Sequence, residues 1–315
     1  GDYQQTLCQN IDWEEGVFGH NKRGKCAFLR DDDLCDMYIH MGEDSLCTTC
    51  REYPRHTEEF ENLREITLSL SCPEVAKIVM NTTEPITFVT KEDETDECYE
   101  EFDYFLFSEL EDVREEMIRI IQDRNVNIRD RIDKILQISV SVQRHYDAGS
   151  LISWNEFEES DRVCVENEYE LFERLFLFLF EEFEILYPQW AEVLVESRLF
   201  LFGEGKKVFE QNKEEFETWW NTSNLTPLDI VLEQLVVYFI SVYLLGAVYD
   251  ENILGKVDAC IGHTIEIYLL LLGRWLKHGE LAMDDVIEVV YRYSREIEHS
   301  DENLERAEML NWFAR

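Results

Sequence analysis

Nine cysteines are spread so unevenly along this 315-residue chain that they divide it in two. Five of them, Cys26, Cys35, Cys47, Cys50 and Cys72, fall between residues 26 and 72, while Cys8, Cys98, Cys164 and Cys260 are scattered over the remainder. The segment from Cys8 to Cys72 also carries Gly16, Gly19, Gly24 and Gly42, the turn-forming run Asp31-Asp32-Asp33 and little sustained periodicity. It reads as a loop-rich module held together by its cysteines.

The spacing is Cys26-x8-Cys35-x11-Cys47-x2-Cys50-x21-Cys72. Two intervening residues let the sulfurs of Cys47 and Cys50 point inward from one tight turn and reach one metal. With Cys26 and Cys35 close behind there are four thiolates, enough to close a tetrahedral zinc site or hold a cubane iron-sulfur cluster, and Cys72 is a fifth candidate. His20, His40 and His56 flank the group and could replace a thiolate, although surface histidines are the simpler reading. Buried thiols acting as small apolar residues are the plain alternative, but core cysteines seldom concentrate in a glycine-rich stretch. A redox role for the Cys47/Cys50 pair lacks the surrounding βαβ pattern.

Before residue 91 the expectations are short elements. These are a helix starting at Cys72-Pro73-Glu74, an extended segment or helical turn over Arg64 to Ser71, and an isolated strand over Ile86 to Thr90. After the acidic linker Lys91 to Glu97, apolar residues recur every three or four positions. That predicts helices over 102–121, 126–142, 166–186, 190–202, 206–220, 228–248, 257–276 and 283–313. Thr226-Pro227-Leu228-Asp229 supplies a capping hydroxyl, a proline at the first helical position and an acid in the first turn. The fold class is therefore mainly α, a helical bundle over 91–315 behind an N-terminal cysteine module over 1–90. Segments 171–186 and 228–248 are apolar on most faces and are expected at the centre. The phenylalanine-rich run from Leu171 to Phe180 reads as core packing rather than as a ligand wall.

Asp and Glu number 68 against 29 Lys and Arg, a formal charge of -39. Such a surface repels phosphates and acidic lipid headgroups, which argues against nucleic acid and anionic membranes, and it attracts cations and lysine-bearing proteins. The run from Leu235 to Val248 is shorter than the roughly 20 residues a bilayer span needs. Gly1 to Gln5 show no leader pattern, so reduced thiols and a cytoplasmic location are expected, and Gly1 in place of an initiator Met points to a processed or cut chain.

Four runs taken together carry a family resemblance: Cys26-Ala27-Phe28-Leu29, Leu34-Cys35-Asp36-Met37-Tyr38, the stretch Gly42 to Arg55 with its Cys47-Thr48-Thr49-Cys50 and Tyr53-Pro54-Arg55, and Leu68 to Ala76 with Cys72-Pro73-Glu74. This ordered pattern, confined to residues 26–76, resembles the cysteine-rich signature of the flagellin lysine-N-methylases. The resemblance implies an iron-sulfur cluster, of the [4Fe-4S] kind, on Cys26, Cys35, Cys47, Cys50 and Cys72, with Tyr53 and Arg55 assigned to cofactor binding. It also implies a protein-lysine N-methyltransferase that uses S-adenosylmethionine on flagellin in the bacterial cytoplasm. The family pattern includes a further cysteine cluster upstream of Gly1, to which Cys8 does not correspond. No catalytic base is assignable, and no glycine-rich strand-to-helix turn marks a methyl-donor site, since Gly203-Glu204-Gly205 lies between two helical patterns. The alternative from a different class is a metal-stapled, non-catalytic scaffold that binds a lysine-rich protein through its acidic surface.

Overall fold

Beyond residue 102 the apolar periodicity resolves into helices, and their ends follow from local capping chemistry. The computed structural model describes residues 2–91 apart from 15, 22–24, 33 and 62, together with 102–150, 167–310 and 312–313. Most of the expected acidic linker, Cys98 and Cys164 lie outside the described residues. The chain forms two compact units, Gly1–His56 and Thr57–Arg315.

In the front unit α1 (Asp2–Asn10) leads into an antiparallel pair, β1 (Ile11–Asp12) and β2 (Val17–Phe18), followed by α2 (Asp36–Met41) and α3 (Thr48–Glu52). Isolated bridges join His20 to Cys26 and Leu29 to Cys35. Its apolar centre is small: Phe28 and Met37 are buried, and Phe28 meets Phe18 edge-on with centroids 5.2 Å apart. This is the loop-rich segment expected from the sequence.

The unit boundary falls within β3 (Arg55–Phe60), which pairs with β4 (Leu63–Leu68) across a connection too short for a parallel crossover, with Glu61 at φ 53°. Then comes α4 (Pro73–Asn81). From Thr57 onward these elements belong to the second compact unit. Phe60, Leu70, Ala76 and Met80 are buried in its core, Tyr238 Oη receives a bond from Leu70 N (3.2 Å), and Arg295 Nε donates to Ser71 O (2.9 Å). Ile86 to Thr90 is irregular rather than a strand, because Gln122 takes the place of a pairing strand by bonding both Ile86 N and Ile86 O.

The body continues with α5 (Tyr104–Ile121), α6 (Ile128–Asp147), α7 (Glu168–Glu181), α8 (Pro188–Phe202), α9 (Lys206–Thr222), α10 (Leu228–Tyr243), α11 (Ala247–Asp250), α12 (Ile253–His278), α13 (Met283–Ile297) and α14 (Asp301–Glu308). The mainly α expectation is met. Two predicted helices are each interrupted. Segment 228–248 breaks at a 3-10 turn over Leu244–Gly246, and 283–313 divides where Ser300 caps α14 by accepting from Asn303 N (3.2 Å). At the start of α10 the cap is Pro227, while the Thr226 hydroxyl donates instead to Met80 O (2.8 Å) and ties α10 to α4.

The central helix is α12, which packs against α6, α7, α8, α9, α10, α13 and α14. Segments 171–186 and 228–248 are expected there from the sequence, because α12 carries four charged or histidine residues deep in the core, Lys256, Asp258, His263 and Glu266, that obscure its burial. Each has a partner. Lys256 Nζ lies 2.8 Å from both Asp250 and Glu308, Asp258 accepts from Trp312 N and Phe313 N, and His263 Nδ1 lies 2.7 Å from the Tyr293 hydroxyl, which donates to Glu266. Leu228–Asp250 and Ile253–His278 are, by length and composition alone, long and apolar enough to cross a membrane. Their apolar windows are 72% and 78% buried against neighbouring helices.

Candidate functional site

The predicted cysteine site divides between the two units. Cys26, Cys35, Cys47 and Cys50 belong to the front unit and Cys72 to the helical body. Cys35 is the N-cap of α2, its Sγ accepting from Tyr38 N at 3.5 Å; Cys47 is the N-cap of α3, which contains Cys50; and Cys72 is the N-cap of α4. Burial pushes the Cys50 thiol up to about 11, helped by a hydrogen bond with Cys47 and by the fields of Cys47, Cys26 and Cys35. Four thiols thus share one electrostatic neighbourhood, and the donor chemistry suits a thiophilic metal, whose charge would relieve that repulsion. The arrangement does not enclose one: among the described residues no three His, Cys, Asp or Glu side chains converge as ligands. Tyr53 is 40% exposed beside a cis Tyr53-Pro54 bond, and Arg55 donates to Arg51 O (3.2 Å). His40 packs on the Tyr3 ring and lies 3.4 Å from Asp36.

A second site was not visible in the sequence. Helices α6, α7, α9, α10 and α12 enclose a cavity of about 670 Å³. Its floor is buried and largely apolar, formed by Leu136, Leu171, Phe172, Thr264, Tyr268 and Phe313, whereas Asn127, Arg129, Asp133, Asn221 and Asp229 at its mouth are exposed. Between them stand Glu168, Lys213 and Glu217. Lys213 Nζ is 2.5 Å from Glu168 and 5.7 Å from the centroid of the Phe172 ring; Arg129 reaches Glu168 (3.3 Å) and Glu217 (3.5 Å); and Tyr268 Oη donates to Glu217 (3.1 Å). Burial and the carboxylates of Glu217 and Glu168 hold the Tyr268 phenol well above its ordinary range, against the opposing field of Arg129. Burial and neighbouring Asp130 raise the Asp133 carboxyl.

Such a lining can hold an organic cation on aromatic faces and carboxylates while its two cations meet a carboxylate. Two residues of the phenylalanine-rich run, Leu171 and Phe172, do line a cavity, whereas Leu175 and Phe176 are fully buried core. The available sequence signal was Lys213 itself, set on the buried stripe Phe209, Phe216, Trp220 of α9, where a lysine needs a partner.

Comparison with known proteins came out on the same side as the cysteine pattern but on a different part of the chain. Residues 114–313 match the family described as "FliB lysine N-methylase C-terminal domain". Among curated proteins, the "Flagellar biosynthetic protein FliU" of Salmonella muenchen is 36% identical over 58 residues, 18% of this chain and 34% of that protein. The "Lysine-N-methylase" of Salmonella typhimurium is 36% identical over 58 residues, 18% of this chain and 14% of that protein. The matched stretch thus spans about a third or less of these relatives' own length. No solved structure matches. With the family match running over residues 114–313, well over half of its length, the chain belongs to the FliB lysine N-methylase family.

Proposed function

We propose that the chain is a protein-lysine N-methyltransferase whose substrate is flagellin or another lysine-bearing protein, met in the bacterial cytoplasm. The observation that carries this reading is the family match over 114–313, a span that contains every residue lining the cavity. The printed names of the Salmonella relatives, one flagellar and one a lysine methylase, support the substrate. So does the charge of -39, which favours encounter with a cationic side chain.

Lysine methylation needs a neutral amine, because the ammonium has no lone pair, so the site must desolvate the substrate or hand its proton to a base. An acidic, aromatic-floored cavity serves the first need by removing water around the amine. The thiols Cys26, Cys35, Cys47 and Cys50, with Cys72 as a further candidate, are proposed to hold an iron-sulfur cluster, with zinc as the alternative; their shared neighbourhood supports this and no chemical step is assigned to it.

Mass spectrometry of flagellin from cells with and without the gene tests the proposal. Loss of methyl-lysine on deletion is expected. Unchanged methylation would overturn the enzyme, and flagellin bound but unmethylated by the purified protein would favour the scaffold.

A further inference from the structure

Inside the cavity of the helical body the strong charges already answer one another. Arg129 bridges Glu168 and Glu217 at 3.3 and 3.5 Å, Lys213 reaches Glu168, and the Tyr268 hydroxyl donates to Glu217. A ligand that took any of these groups would have to break a pair. Two other parts of the lining are left over. Ile132 of α6, Leu232 of α10 and Ile265 of α12 are apolar side chains that line the cavity and stay half open to water. Asp133 and Asp229, exposed at the mouth on α6 and α10, have no hydrogen-bond or ion-pair partner among the described residues. A volume of about 670 Å³ is ample for more than one apolar side chain. What fits is an apolar group held inside with a cation left at the mouth. A second copy of this chain is disfavoured, because two bodies of charge -39 repel, and a free apolar molecule leaves both aspartates unanswered. An amphipathic helix that lays apolar residues into the opening and carries lysine on the next turn answers both.

We infer that this cavity docks an amphipathic, lysine-bearing segment of the protein substrate, with apolar anchors against Ile132, Leu232 and Ile265 and a lysine facing Asp133 and Asp229. The need for a lysine-bearing partner rests on the methyltransferase reading; the place, and the demand for apolar anchors, rest on the cavity. The docked lysine positions the segment, and no chemical step is assigned to it.

Fluorescence anisotropy of the full chain with a labelled amphipathic peptide of about 15 residues, built from leucine, alanine and lysine, tests the assignment. The peptide should bind, its serine-for-leucine version should bind about tenfold more weakly or worse, and Nα-acetyl-lysine amide should not compete. Leu232→Trp, which fills the cavity from α10, should abolish binding while circular dichroism and the melting temperature confirm an intact bundle. The exposed pair Asp133→Asn with Asp229→Asn should weaken the peptide about fivefold at low salt and little at high salt. The charge-matched pair Glu192→Gln with Asp284→Asn, exposed but outside the cavity, should not. Absence of binding, equal binding of the serine peptide, equal effects of the two charge pairs, or binding that Leu232→Trp leaves unchanged would overturn the docking site. So would self-association of the chain that the peptide reverses, which would give the cavity to a second copy. Flagellin methylated normally in cells by a Leu232→Trp protein that binds no peptide would remove the docking site and leave the methyltransferase reading standing. Peptide bound as expected, with flagellin methylation unchanged by deletion of the gene, would do the reverse.

Discussion

The buried charges decide most at the scale of single residues. Glu233 in α10 is fully buried and receives Arg131 Nη1 (2.9 Å), itself 3% exposed, and Arg124 Nη2 (2.7 Å). Glu233→Ala strands the Arg131 guanidinium in the core, so chemical denaturation should show a loss of about 3–5 kcal/mol, whereas Glu74→Ala, which removes an exposed pair with Lys77, should stay within about 1 kcal/mol. Asp258 and Glu296 are both pushed up to about 7 by burial, against the two backbone N–H groups that each carboxylate accepts. Their folded pKa exceeds the unfolded value, so between about pH 4 and pH 7 the native state holds protons that the unfolded state has released, and stability falls as pH rises. Melting temperatures across that window should decline for the native protein, and Asp258→Asn should flatten part of the decline. That Glu233 would be paired was not legible in the sequence, since Arg124 and Arg131 lie more than a hundred residues away.

Among the elements, the helices of the body were largely legible because their apolar spacing is a local property, and α5, α8 and α9 begin and end within two residues of the expectation. The β3–β4 pair was only half anticipated, since alternation over Arg55 to Phe60 is carried by charged residues whose burial depends on the body beneath them. Where α12 begins, Asn252 caps it by accepting from Gly255 N (3.1 Å) while donating to Glu308 O (3.1 Å), which brings the end of α14 against the first turn. A Cβ on Gly255 would stand 2.2 Å from that Glu308 carbonyl. Gly255→Ala should therefore cost about 1–3 kcal/mol by thermal or chemical unfolding through displacement of α14, even though alanine is the better helix former.

For the whole molecule, Cys26, Cys35, Cys47 and Cys50 belong to one compact unit and the cavity-lining residues to the other. Elemental analysis and visible absorption of anaerobically purified protein should show bound metal that falls sharply in Cys47→Ser and Cys50→Ser, while Cys8→Ser keeps its metal. One equivalent of zinc without iron would overturn the iron-sulfur proposal.

Taken alone, the sequence determined that this is a helical protein with a cysteine-rich front and a strongly acidic surface. It also carried the methylase resemblance, because periodicity, spacing and charge can be read from near neighbours. Only the tertiary structure decided that α12 is the axis, that Cys72 belongs with the helices, and that five separated segments leave a cavity around Lys213 and Glu217. Burial and pairing are made by residues from distant parts of the chain. A lysine on an apolar stripe or a carboxylate in a core helix therefore acquires its meaning only when its partner arrives.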